Sequence, residues 1–94
     1  MKRFSLLTDD MKKCYITGSR QDIHIHEVFF GANRKNSIKW GCCVPLRSDW
    51  HNMSSYGVHF NRELDLKLKR EMQKAFEEKY GHEKFMEVFH KSWL

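Results

Sequence analysis

Three histidines, His26, His51 and His59, are the side chains of this chain best suited to holding a metal ion. Neutral imidazole is the commonest protein ligand for zinc and similar metals. One ion held in this way can drive cleavage of a phosphodiester. His26 lies in the apolar run Ile23-His24-Ile25-His26-Glu27-Val28-Phe29-Phe30. His51 follows 25 residues later in Trp50-His51-Asn52, and His59 another 8 residues on in Gly57-Val58-His59-Phe60. On one continuous helix His51 and His59 would be separated by about 12 Å of rise, too far to share an ion. They can share one only if residues 52–57 loop back, which Ser54-Ser55-Tyr56-Gly57 permits.

The elements around these residues decide what else joins them. Ile23 to Phe30 reads as a strand, so alternate residues share a face. His24 and His26 then point the same way, and Glu27 points the other way unless the strand ends there. Two same-side histidines could both bind metal. A His26-Glu27 neighbour pair could instead divide into ligand and base. Six histidines in 94 residues also admit chance clustering. His82 and His90 fall in the C-terminal helices as surface or capping residues. Cys42 and Cys43 sit in an apolar strand and read as core thiols rather than ligands.

The first dozen residues read as a mobile arm or an irregular lead-in. Gly31 to Ser37 reads as a polar, basic loop. Gly41 to Leu46 reads as a second strand, which Pro45 confines to an edge or a strand end. Asp49 to Gly57 reads as a loop. Leu64, Leu68, Met72, Phe76 and Tyr80 then recur every four residues and predict a long amphipathic helix, with Asn61 as its N-cap and Gly81 as its stop. His82 to Lys91 reads as a shorter helix with Phe85, Val88 and Phe89 inward, and Trp93 packing beyond it.

At 94 residues the chain has the length of one small domain, with residues 1–13 as an arm, 14–61 as the core and 62–94 as the C-terminal helices. A hydrophobic content of 40% with 14% aromatics suits a packed fold rather than a disordered one. The apolar stretches are too short to span a membrane. Met1-Lys2-Arg3-Phe4-Ser5-Leu6-Leu7 passes at once into Thr8-Asp9-Asp10, unlike a signal peptide, so the expected location is cytoplasmic. An odd set of three cysteines, Cys14, Cys42 and Cys43, makes disulfides improbable. Residues 1–62 hold ten Lys/Arg against five Asp/Glu, and residues 63–94 hold seven of each. The whole positive excess therefore lies in the part that carries the three histidines. It suits a polyanion such as nucleic acid, or serves solubility alone.

Several segments occur in order and at close spacing: His26-Glu27-Val28-Phe29-Phe30-Gly31, Asn33-Arg34-Lys35-Asn36-Ser37, Gly41-Cys42-Cys43-Val44-Pro45-Leu46, Trp50-His51-Asn52 and Gly57-Val58-His59-Phe60-Asn61. Glu77 to Phe85 follows. Together they resemble a family of small phage and prophage HNH-type proteins, similar to the nuclease domain of the recombination-enhancement, RecA-dependent nucleases. The resemblance covers about residues 14–94. It implies an α+β, ββα-metal (HNH-like) fold with one divalent metal, Mg, Mn, Ni or Zn. It puts His26 at a ligand position, Glu27 where a catalytic His is usual, His51 at the last motif position, and His59 as a nearby ligand or phosphate contact. His24 and Asn52 are additional candidates. A carboxylate of ordinary pKa is a weaker base at neutral pH than the usual imidazole. The middle Asn of such motifs has no clear counterpart, Cys42 lying near its place. Relatives of this kind can carry a zinc knuckle of cysteines. Here Cys14 stands alone, with Thr17, Arg47 and Trp50 at the partner positions, and no structural zinc is expected.

The resemblance implies a metal-dependent endonuclease acting on DNA with low sequence specificity, and a recombinase filament or other host protein as a further partner. Arg34, Lys35 and Lys39 are expected to grip the phosphate backbone, which gives affinity without sequence reading. A different class stands beside it: a degenerate HNH-like domain that binds DNA or a host protein and does not cut.

Overall fold

The computed structural model describes residues 2–94; Met1, the first residue of the expected arm, lies outside them. Among the described residues the fold is α+β, with two strands and four α-helices. Strand β1 (Ile23–Glu27) pairs antiparallel with β2 (Cys43–Arg47). Between them come a 3-10 turn and helix α1 (Arg34–Lys39). After β2 follow α2 (Ser48–His51), a 3-10 turn over Val58–Phe60, α3 (Arg62–Tyr80) and α4 (His82–Phe89).

The register explains the partition of β1. His24 faces Leu46 and His26 faces Val44, whereas Glu27 faces Cys43. Val44 and Leu46 are fully buried against the helices, so the two histidines share the inner face of the ribbon. The expected second strand is present over Cys43–Arg47, with Pro45 inside it. Pro45 is tolerated because its carbonyl points away from β1 and accepts the Tyr15 N–H at 2.8 Å. Its missing donor is therefore on the side that β1 does not use. The lead-in is irregular, and it is tied down where Ser5 bridges Cys42 and the Leu6 N–H donates to the Gly41 carbonyl at 2.9 Å.

Two expected loops are partly helical. The basic segment 31–37 runs through a 3-10 turn into α1, although Asn and Ser are weak helix formers. Tertiary contacts override that propensity. Ser37 is fully buried; its Oγ donates to the Phe29 carbonyl at 2.7 Å and accepts the Phe29 N–H at 3.1 Å. Asn36 donates to the Val88 carbonyl at 3.2 Å, tying α1 to α4. The segment 49–57 likewise begins inside α2, because Arg47 grips Asp49 at 2.7 and 2.9 Å and sets that single turn.

The predicted long helix is α3. Its Asn61 cap accepts the Leu64 N–H at 3.1 Å, and Gly81, at φ +91, breaks it from α4. Leu68, Met72 and Phe76 enter the core with Phe85 and Phe89 from α4. Trp93 lies against Phe29 with ring centres 4.8 Å apart, and its N–H donates to Gln73 at 2.8 Å. His82 is exposed beside Glu77, and His90 is exposed at the end of α4 in a left-handed conformation, as capping positions allow. Phe76 joins Trp40, Tyr80, Phe85 and Phe89 in one aromatic cluster. Replacing Phe76 by Ala is expected to cost about 3–5 kcal/mol in urea unfolding. A loss under about 1 kcal/mol would show that the helices do not depend on that cluster.

Candidate metal centre

Three elements with no local relation converge on one point. His26 comes from β1, His51 from the last turn of α2, and His59 from the 3-10 turn before α3. One ligand nitrogen from each lies within 4.8 Å of the others. The ring centres are 5.2 Å apart for His26 and His51, 5.1 Å for His26 and His59, and 4.6 Å for His51 and His59. The approach of His59 depends on Gly57. A Cβ there would lie 2.7 Å from the His51 carbonyl oxygen, so only glycine lets residues 52–57 fold back this tightly. Val58, the next residue, is buried in the core and anchors the returning turn.

The donor set fits a transition-metal ion. His26 is 1% exposed, and its Nε2 has no hydrogen-bond partner. Buried polar atoms are seldom left so, since each costs about 1–3 kcal/mol. The Nε2 atoms of His51 and His59 lie 3.0 Å apart. Two nitrogens bound tetrahedrally at about 2.0–2.1 Å would be separated by about 3.3 Å. The group is graded from buried His26 through half-buried His51 to exposed His59, so one side of it is open. That side is a cleft of about 230 Å³ lined by His26, Glu27, Phe30, Arg34, His51 and His59.

His24 shares the face of His26 but does not join the ligand group. Its Nδ1 lies 3.0 Å from Nδ1 of His51, on the opposite edge of that ring from the ligand atom. An imidazole that offers Nε2 to a metal carries its proton on Nδ1. His51 then donates to His24, whose own proton must sit on Nε2. With a metal on its Nε2, His51 would thus be held in plane by His24, the orienting service that carboxylates and carbonyls commonly give to metal-bound histidines.

Burial and neighbouring charge set the protonation of the ligands. Burial first, then the charges of His51, His59 and Lys69, hold His26 down at about 3. Burial first, then the charges of His59 and His24, hold His51 at about 4, with Glu27 opposing. Both rings are therefore neutral near pH 7 with their lone pairs free.

Glu27 closes the strand and lines the rim of the cleft, contrary to strict alternation, which turns it away from His26. The regular strand ends at this residue, and its carboxylate accepts from Arg34 Nε at 2.7 Å, with Arg3 at 3.7 Å. Arg34 thus reaches the cleft, whereas Lys35 and Lys39 are exposed elsewhere on α1 and do not line it. Asn52 is not brought to the group. It ends α2, one residue beyond His51, exposed and outside the cleft. Phe30 was not singled out by its spacing, yet its ring packs 5.9 Å from His26 and 5.3 Å from His59 and forms one wall. Its place two residues beyond Val28 on the continuing chain was the available signal.

The chain matches no family model, no curated protein and no solved structure. The geometry therefore stands alone. Cys14 is buried and accepts the Thr17 N–H at 3.4 Å, while Arg47 is engaged with Asp49 and Trp50 meets Tyr56 edge to face with ring centres 4.9 Å apart.

Two measurements follow from the histidines. Replacing His24 by Phe keeps a ring but removes the acceptor for His51, and zinc affinity by titration calorimetry should fall about 10–100-fold. An unchanged affinity would mean that packing alone orients His51. The second concerns acid. In the unfolded chain both imidazoles titrate near about 6.5. Their folded values are lower, so below that pH the unfolded state takes up protons the fold excludes. In metal-stripped protein this contribution is complete above about pH 6.5 and is lost as pH falls toward the folded values of about 4 and about 3. The thermal midpoint should drop across that range, and His26→Phe should flatten the drop. A slope untouched by His26→Phe would place the acid sensitivity elsewhere.

Proposed function

We propose that this protein is a metal-dependent endonuclease that cleaves DNA phosphodiester bonds at the His26, His51 and His59 centre. The observation that carries the reading is the convergence of three imidazoles from separate elements beside an Arg34–Glu27 pair in an open cleft. The ordered resemblance to small phage HNH-type proteins points the same way. Three nitrogen donors favour zinc or nickel over magnesium or manganese, which prefer oxygen. An ion held there supplies positive charge to the scissile phosphate and the leaving oxygen.

The chain's own groups do the rest. Arg34, more than half exposed, binds a phosphate oxygen, exchanging Glu27 for the substrate. Released from Arg34, the Glu27 carboxylate accepts a proton from the attacking water. His24 is already committed to His51, so it serves orientation rather than proton transfer. Lys35 and Lys39, exposed four residues apart on α1, add contacts to flanking phosphates.

One observation favours a second reading. The carboxylate at the base position is paired with two guanidiniums, which suits a domain that holds DNA without cutting it. Supercoiled plasmid incubated with purified protein and Zn²⁺, Ni²⁺, Mn²⁺ or Mg²⁺ separates the two. Nicking is expected with zinc or nickel, falling about a hundred-fold or more in His51→Ala. No nicking with any of the four ions, with a retained gel shift, selects the non-cutting domain.

A further inference from the structure

Most exposed aromatic side chains of this chain already have work within the fold. Tyr56 donates to Asp49 at 2.6 Å and meets Trp50 edge to face, and Phe4 packs over Gly41. Phe60 differs. It is 66% exposed and pairs with no other ring among the described residues. Single exposed apolar residues are ordinary on protein surfaces. This one has its backbone tied into the 3-10 turn and stands beside the candidate centre. Val58, His59 and Phe60 form one 3-10 turn whose first residue enters the core, whose second faces His51, and whose third projects into solvent. The Phe60 N–H donates to the Gly57 carbonyl at 2.8 Å, so the geometry that fixes His59 also fixes Phe60.

Phe60 and Phe30 line a second cleft of about 310 Å³ together with Arg62 and Asp65. Phe30 and His59 belong to this cleft and to the histidine cleft alike, so the two adjoin. Phe30 is held from one side by the Lys69 ammonium, 4.3 Å from its ring centre, and stays 42% exposed. The Asp65 carboxylate is paired with Lys69 at 2.8 Å, which offsets its charge, and its other oxygen is buried away from the cleft surface. Arg62, exposed on the rim, and Arg34 across the histidines put a guanidinium on either side.

We infer that Phe60 and Phe30 form a stacking platform for an unpaired base next to the phosphate bound at the histidine centre, so that single-stranded nucleic acid is the favoured substrate. The inference deepens the endonuclease reading and rests on it for the position of that phosphate. In a duplex both faces of each base are covered by its neighbours. A projecting phenyl ring therefore gains a partner only where the strand is unpaired.

The test measures binding and cleavage separately. Fluorescence anisotropy with a labelled oligothymidylate and with a hairpin duplex of equal length should show tighter binding of the single strand. Phe60→Ala should weaken the single strand about ten-fold or more and the duplex no more than about two-fold. Phe60→Trp should restore binding, and the emission it adds should be quenched by the single strand but not by the duplex. Circular dichroism checks that each variant is folded, as expected for so exposed a side chain. Equal loss on both forms, no loss on either, or no quenching would overturn the platform, even if metal-dependent nicking is intact. Phe60-dependent binding of single strands without nicking under any metal would overturn the endonuclease reading and leave the platform as a binding surface.

Discussion

A buried imidazole nitrogen with no protein partner carries an unmet desolvation cost of about 1–3 kcal/mol, and His26 Nε2 is in that position beneath two other imidazoles. Much of the local architecture serves to keep it there. The β1–β2 register places His26 opposite Val44, on the face packed against the helices. The Arg47–Asp49 pair sets the turn that aims His51, and the close pass of Gly57 over His51 returns His59. Each of these constrains a different segment. A bound cation would cross-link all three segments at once, which is the kind of staple a chain of 94 residues gains most from.

The rest of the fold makes that arrangement affordable. A two-stranded ribbon is marginal alone. Here it is covered by α3 and α4, whose Leu68, Met72, Phe76, Phe85 and Phe89 make the core with Val44 and Leu46. The C-terminal third is electrically neutral and apolar inward, while the positive excess stays with the histidines. The division is physical. One part supplies buried area, and the other carries polar groups that would not hold their geometry without it. The tail joins in, since buried Gln73 bonds both Ser92 and the Trp93 N–H and so clamps Trp93 over Phe29.

What was legible in the sequence follows from periodicity. The four-residue recurrence from Leu64 to Tyr80 located α3, and Asn61 and Gly81 marked its ends through cap chemistry. The β1 strand was legible in the Ile, Val and Phe content of residues 23–30, although it stops at Glu27, and the shared face of His24 and His26 followed from alternation. Short elements made by tertiary contact were not legible. Arg34–Lys39 is a helix because Ser37 and Asn36 find partners far along the chain, and no local pattern records that. The edge-to-edge meeting of His24 with His51 was equally invisible, because it depends on the angle of one helical turn. Alternation left the side of Glu27 open, since it holds only while a strand remains regular and Glu27 is the last residue of β1.

On the endonuclease proposal, the balance between cutting and mere holding turns on the Glu27–Arg34 pair. Arg34 is 56% exposed at its side chain, and ion pairs with so open a partner contribute little. A phosphate group, which can take the guanidinium in a two-point grip, competes with Glu27 on better than equal terms. Glu27 itself is only 13% exposed. Stripped of its nearest cation, it would be left as a largely desolvated carboxylate with Arg3 at 3.7 Å. On the endonuclease proposal, the phosphate that takes Arg34 is also what frees a Glu27 oxygen to accept from water, so the same ion pair that holds the carboxylate in the free protein is the one the substrate must open.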